Sequence, residues 1–203
     1  MQKAKNRFIK KFVWVGITFL LLLIIGNIAT GSSGSRLLQE IVGADQSLKR
    51  YQGMPVIVSQ KGYGVSISPE TIIAKLEAPI AFIMVIKNPF KEPLQFSIND
   101  AKAYAEKKEL EILDSEEIIA EARKNFFKKN YKLNKEQEKA LAPYLEDKMQ
   151  MLRDKLFKTQ TIAPKGQVMG LIYVRVPSGT EKLTIVVAFP KEKHEFSFHV
   201  IEA

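Results

Sequence analysis

The sequence has no cysteine, two histidines and a single tryptophan in 203 residues. Without Cys there can be no disulfide, no thiolate metal site, no thiol nucleophile and no lipidated N-terminal Cys, so the chain is not a lipoprotein. With only His194 and His199, a histidine-rich zinc site or a catalytic triad would need further convergent ligands that no spacing in the sequence marks. Acidic residues are missing from positions 1–35, which carry Lys3, Lys5, Arg7, Lys10 and Lys11.

That last absence explains most of the formal net charge of +9. Removing the five leader cations from the 31 basic residues leaves 26 against 22 acidic ones, a net +4 spread along the rest. A nucleic-acid binder concentrates cations on a folded face to displace phosphate counterions. Here the excess lies in a leader, and no nucleic-acid partner is expected.

Residues 1–11 form a basic segment, and residues 12–29 follow with no charge at all. A charged side chain at the centre of a membrane helix costs about 2.5–3.5 kcal/mol, so this gap in the charge pattern reads as a transmembrane segment. Eighteen residues in a helix span roughly 27 Å, close to the hydrocarbon thickness. Cations before the segment and none directly after it place the N-terminus in the cytoplasm. The expected localisation is therefore the inner membrane, single-pass, with the C-terminal domain periplasmic or extracellular and the bilayer a partner through residues 12–29. Two versions stay open, an uncleaved signal anchor and a cleavable signal peptide. The length of the apolar stretch and Trp14 favour the anchor. Ala29, Thr30 and Gly31 have the small side chains a signal peptidase reads.

Residues 30–53 read as a Gly/Ser linker and then a short juxtamembrane helix, with Leu37, Ile41, Ala44 and Leu48 at roughly helical spacing and Ser35 as its cap. From Met54 the texture turns to β. Short β-branched runs bounded by Gly or Pro recur, and residues 79–87 are almost wholly apolar, as in a strand covered on both faces. Leu94, Phe96 and Ile98 alternate with polar neighbours, and Leu110 and Ile112 do the same. Asp114 to Glu117 has the spacing of a capping box. Residues 114–157 then read as a helical hairpin, with Pro143 expected to kink or restart its second helix. Strands return over residues 167–176, 182–189 and 195–201. The expected fold class is mainly β with a helical insertion: an N-terminal transmembrane helix, then a β-sandwich over residues 54–203 carrying the hairpin.

The stretch from Val65 to Asn88, together with Ile162 to Val174, carries a recurring pattern. A Pro-Gly turn (Pro164, Lys165, Gly166) precedes a strand that passes through Gly170 into Leu171, Ile172 and Tyr173. In this it resembles uncharacterised exported bacterial proteins with an immunoglobulin-like domain. The resemblance implies an immunoglobulin-like β-sandwich and carries no activity; the helical insert departs from the simple pattern.

Candidate chemistry is thin. Gly166 to Gly170 lacks the Lys-Ser/Thr of a P-loop and leads into a strand. Gly62 and Gly64 suit a turn or bulge. Ser32 follows no strand that could form a nucleophile elbow. Glu116 and Glu117 sit where acids favour a helix dipole, and Glu109 and Glu111 lie on the wet face of an alternating strand. His194 and His199 read as structural. No catalytic residue, cofactor or metal is expected.

The insert is the most informative feature. Its apolar stripe, Leu145, Met149, Leu152 and Leu156, must be buried somewhere, on the domain itself or against a partner. Phe126 and Phe127, interleaved with cations from Arg123 to Lys132, sit at its tip and could pack on the domain or meet a protein or anionic headgroups. These six residues are the candidate interface. The functional expectation is a non-enzymatic, membrane-anchored periplasmic interaction module, an accessory or assembly subunit of a cell-envelope complex with an envelope protein as partner. The alternative is a lipid- or small-molecule-binding periplasmic domain whose insert lids an apolar pocket.

Overall fold

The computed structural model describes residues 34–129 and 135–202. The basic leader, the apolar segment 12–29 and the start of the linker lie outside the described residues, and among those described no helix is long and apolar enough to cross a membrane. The described residues are mainly antiparallel β with two α-helices. Thirteen strands occur in chain order: β1 (Ser35–Ile41), β2 (Gln46–Tyr51), β3 (Met54–Gln60), β4 (Gly64–Pro69), β5 (Ile73–Lys75), β6 (Ile80–Lys87), β7 (Leu94–Phe96), β8 (Ala101–Ala105), β9 (Lys108–Leu110), β10 (Gln160–Ile162), β11 (Gln167–Val174), β12 (Lys182–Phe189) and β13 (Glu192–Glu202). The helices, α1 (Ser115–Lys129) and α2 (Lys135–Lys155), lie between β9 and β10.

A six-stranded sheet runs β5-β1-β13-β12-β8-β9, a five-stranded sheet runs β11-β6-β4-β3-β2, and β10 pairs with β7. The two large sheets share one apolar core. Leu183, Ile185 and Val187 of β12 and Phe196, Phe198 and Val200 of β13 meet Ile57, Val65, Ile67, Phe82, Met84, Ile86, Ile172 and Val174 from the other sheet. Strict alternation in β12 and β13 places every second residue in that core and leaves the others facing out.

β6 and β11 do not alternate, because both of their faces are covered. Their outward residues Ala81, Leu171 and Tyr173 form a second cluster with Ile118 and Ile119 of α1 and Leu145, Met149 and Leu152 of α2. The hairpin is thus a third layer on one sheet. Its first helix starts where the capping-box spacing predicts: Asp114 Oδ1 accepts from the N–H groups of Glu116 and Glu117, and Glu117 returns a carboxylate to the Asp114 N–H. No break interrupts α2 at Pro143, which faces solvent. Beyond α2 the chain presses on β11. Phe157 N–H donates to Leu171 O, and a Cβ added at Gly170 would stand 2.7 Å from the Phe157 Cα, so only glycine allows this approach.

One expected element is corrected. Residues 36–51 are not a helix; they form β1 and β2. Leu38 is buried and Leu37 exposed, an alternation of period two, and β1 pairs with β13 from Arg36–Glu202 to Ile41–Ser197. Those long-range bonds, together with burial of Leu38, override a local pattern already weakened by Gly43. The β-domain therefore begins at Ser35, not Met54, directly after the linker. Inward-facing Arg36 donates from Nη1 to Val176 O at 2.7 Å and lies 3.5 Å from Glu202. Glu202 also accepts from the Ser178 hydroxyl and the Gly179 N–H, so one carboxylate ties the ends of β1 and β13 to the β11–β12 turn.

Candidate functional site

The candidate interface divides on inspection. Leu145, Met149, Leu152 and Leu156 are all buried within the chain itself, with relative exposures of 4–6%. As a surface for a partner these four are corrected to core, because the outward faces of Leu171 and Tyr173 already cover them. Phe126 is half-buried against the same cluster. The side chain of Phe127 lies outside the described residues. Glu109, Glu111, Glu116 and Glu117 are exposed, and Glu116 and Glu117 occupy the first turn of α1. His199 is exposed on β13. Among the described residues no three His, Asp or Glu side chains converge to hold a metal.

His194 has the most developed surroundings. It is fully buried, with Nδ1 3.0 Å from the Ser59 hydroxyl and Nε2 3.0 Å from Glu192. Burial pushes the Glu192 carboxyl up, but bonds from the Tyr63 N–H, His194 and the Gly62 N–H outweigh it and hold it below the usual carboxylate range. Burial pulls the His194 ring down more than Glu192 raises it, so the ring is neutral at pH 7. An ionised Glu192 only accepts, so Nε2 carries the proton and Nδ1 accepts from Ser59. The resulting order, hydroxyl to imidazole to carboxylate, has the polarity of a hydrolase relay. Its placement is that of a staple. Ser59 belongs to β3 in the five-stranded sheet, His194 and Glu192 belong to β13 in the other, and Glu192 closes on the β3–β4 turn. At 1% exposure, Ser59 offers no approach for a substrate carbonyl.

Beside this staple lies an open cleft of about 440 Å³, where β1 has ended and the β1–β2 connection crosses to the other sheet. Its lining is mixed in charge, with Asp45, Lys61, Lys193 and Glu195. Gln46 and Lys61 donate from their side chains to the backbone carbonyls of Glu195 and Lys193, covering an edge of β13 that β1 no longer reaches.

A second polar group sits at the hairpin seam. Both carboxylate oxygens of Glu70 and the Lys155 ammonium are buried with no hydrogen-bond partner. Burial raises the Glu70 carboxyl to about 7 even though the Lys155 charge opposes it. Burial lowers Lys155 despite Glu70, and raises the neighbouring Tyr173 phenol, to which Glu70 adds. Sequence patterns point to neither Glu70 nor Lys155. Glu192 and His194 share a strand face at i and i+2, a weak signal; Ser59, Glu70 and Lys155 carry none.

An exposed strand edge lies elsewhere. β2 closes one edge of the five-stranded sheet and is exposed along Ser47–Tyr51. Leu48 and Tyr51 are 41% and 48% exposed. The opposite edge, β11, is blocked by bridges from Ile112 and Leu156. No protein-family model, curated protein or solved structure matches this chain.

Proposed function

We propose that the chain is a single-pass, membrane-anchored periplasmic interaction module, an accessory or assembly subunit of a cell-envelope complex, built on an immunoglobulin-like sandwich. The anchor rests on the charge-free segment 12–29 behind an acid-free basic leader. The observation that carries the interaction reading is the open β2 edge. Among the described residues no strand pairs with β2 on the side away from β3; such an edge is a template for an added strand from a partner, and Lys49 and Arg50 suit an edge kept from indiscriminate pairing. The lid reading loses its motive, because the helical stripe packs on Leu171 and Tyr173 rather than over a pocket.

Turn geometry says which groups a partner strand would meet. Gln52 and Gly53 both have positive φ, as in a type I′ turn, which makes Tyr51–Met54 the hydrogen-bonded closing pair. By alternation the backbone groups of Gln46, Leu48 and Arg50 then point away from β3; the Gln46 N–H is already taken by Gly43 O, so Leu48 and Arg50 are the ones left for a partner strand. A photo-crosslinker at Leu48 or Arg50 in cells is expected to capture one dominant envelope protein. Leu48→Pro is expected to abolish partner co-purification while preserving the fold, since the N–H it removes is outside the ladder. Capture that is indifferent to Leu48→Pro, or no capture at β2 at all, would sink this reading.

A further inference from the structure

Among the described residues no helix covers the outer face of the six-stranded sheet, and at one end that face carries apolar side chains in contact register. Leu37 of β1 lies directly opposite Ile73 of β5 on one side and Ile201 of β13 on the other. Directly opposed residues point to the same face with Cβ atoms roughly 4.5–5.5 Å apart, so the three make one continuous row. Their exposures are 60% for Ile73, 40% for Leu37 and 46% for Ile201. Ile72, beside the row, is 39% exposed. Single exposed apolar residues are ordinary; a contiguous row across three strands marks a surface that something covers.

Position in the chain says what covers it. Only residues 30–34 separate the charge-free segment from β1. A fully extended chain gains at most about 3.6 Å per residue, so Ser35 lies within about 22 Å of Ala29, and Leu37 is two residues further on. The headgroup layer itself takes up about 6 Å of that distance. Lys191, in the β12–β13 turn at the far end of the sheet, stands about 33 Å from Ile201 along the strand direction. The apolar row is thus at the end of the sheet that the tether holds down.

Charge agrees with that placement. The next outward row toward the chain start pairs Ser35 with Lys75, and the next row away from it aligns Gln39, His199 and Lys182. Glu202, the acid adjoining Ile201, is engaged by Arg36, Ser178 and Gly179. Apolar side chains flanked by lysines match the boundary between acyl chains and anionic headgroups.

We infer that Ile73, Leu37 and Ile201 dock the six-stranded sheet onto the bilayer surface beside the chain's own membrane segment. The domain then lies against the membrane rather than swinging from a linker, and β2, in the other sheet, is held clear for a partner. This inference rests on the anchor reading of residues 12–29. It is tested on the full chain reconstituted alone into phosphatidylethanolamine–phosphatidylglycerol vesicles. Because the sequence has no cysteine, Leu37→Cys, Ile73→Cys, Ile201→Cys and the distant Lys191→Cys each give one unique site for an environment-sensitive dye.

The expected result is blue-shifted emission at positions 37, 73 and 201, quenched about two-fold or more by nitroxide-labelled lipid, with position 191 unaffected. Quenching at the three sites should persist when protein is diluted into excess lipid. Water-like emission there in a chain that resists alkaline extraction would overturn docking and leave the anchor standing. Emission that is blue-shifted but unquenched by labelled lipid, and lost on dilution, would assign the row to a second copy of the chain and also overturn it. A chain stripped from the vesicles by alkaline carbonate would remove the anchor and the docking together.

Discussion

The two large sheets differ in what lies on their outer faces. On the five-stranded sheet, β6 and β11 face outward with Ala81, Leu171 and Tyr173, and the hairpin α1–α2 covers them. On the six-stranded sheet, β12 and β13 alternate strictly, and among the described residues no helix covers the outward side. Strands apolar on both faces demand a third layer, whereas alternating strands can face water. The well-exposed apolar residues on the bare face, Ile73, Leu37 and Ile201, stand out for that reason.

The comparison breaks first where a charge is forced into the covered side. Leu152→Asp or Met149→Asp is expected to cost upwards of about 4 kcal/mol and to unfold the domain, because a buried carboxylate there has no partner. Loss of the cooperative thermal transition would show it; an intact fold would mean the stripe is not core after all.

The seam under the hairpin should respond to pH. Glu70 is raised by burial to about 7 from an ordinary 4.5, so the folded chain holds that proton more tightly than the unfolded one. Its contribution is fully present below about pH 4.5 and is lost as pH rises through 7. Glu70→Gln is therefore expected to flatten this dependence and stabilise the protein at pH 8, by about 3 kcal/mol at most. Urea melts from pH 4.5 to 8 decide it; parallel curves for both proteins would refute the account.

Between the faces, the staple is tested by Ser59→Ala, which leaves His194 Nδ1 buried without a donor. A loss of about 1–3 kcal/mol in denaturant melts is expected. No loss would show that the hydroxyl does not hold the two sheets together.

The smallest stability effect belongs to the bare face. Ile73→Ser is expected to change stability by no more than about 0.5 kcal/mol, since the side chain is 60% exposed. A large destabilisation would show that this row supports the fold instead of facing a neighbour.

Much of the β organisation was legible in the residues. The alternation in β12 and β13, the unbroken apolar run of β6 and the capping box at Asp114 are local patterns whose physical cause acts locally. The helix read over residues 36–51 failed for the opposite reason. Leu37, Ile41, Ala44 and Leu48 mimic a helical period, and only pairing with β13, some 160 residues later, makes β1 a strand. Of the six candidate interface residues, Leu145, Met149, Leu152 and Leu156 were chosen because an apolar stripe needs a cover. Nothing in the chain order says that the cover is Leu171 and Tyr173.

By itself, then, the sequence determined the charge-free segment, the mainly β texture, the two helices and the absence of thiol chemistry, because these follow from composition and from periods of two and 3.6 residues. Tertiary structure alone decided that the hairpin stripe is core, that Ser59, His194 and Glu192 meet, that Glu70 is buried beside Lys155, and that Ile73, Leu37 and Ile201 form a row. Each depends on which strands become neighbours, and the free energy that selects those neighbours is shared across the whole core rather than encoded in any one segment.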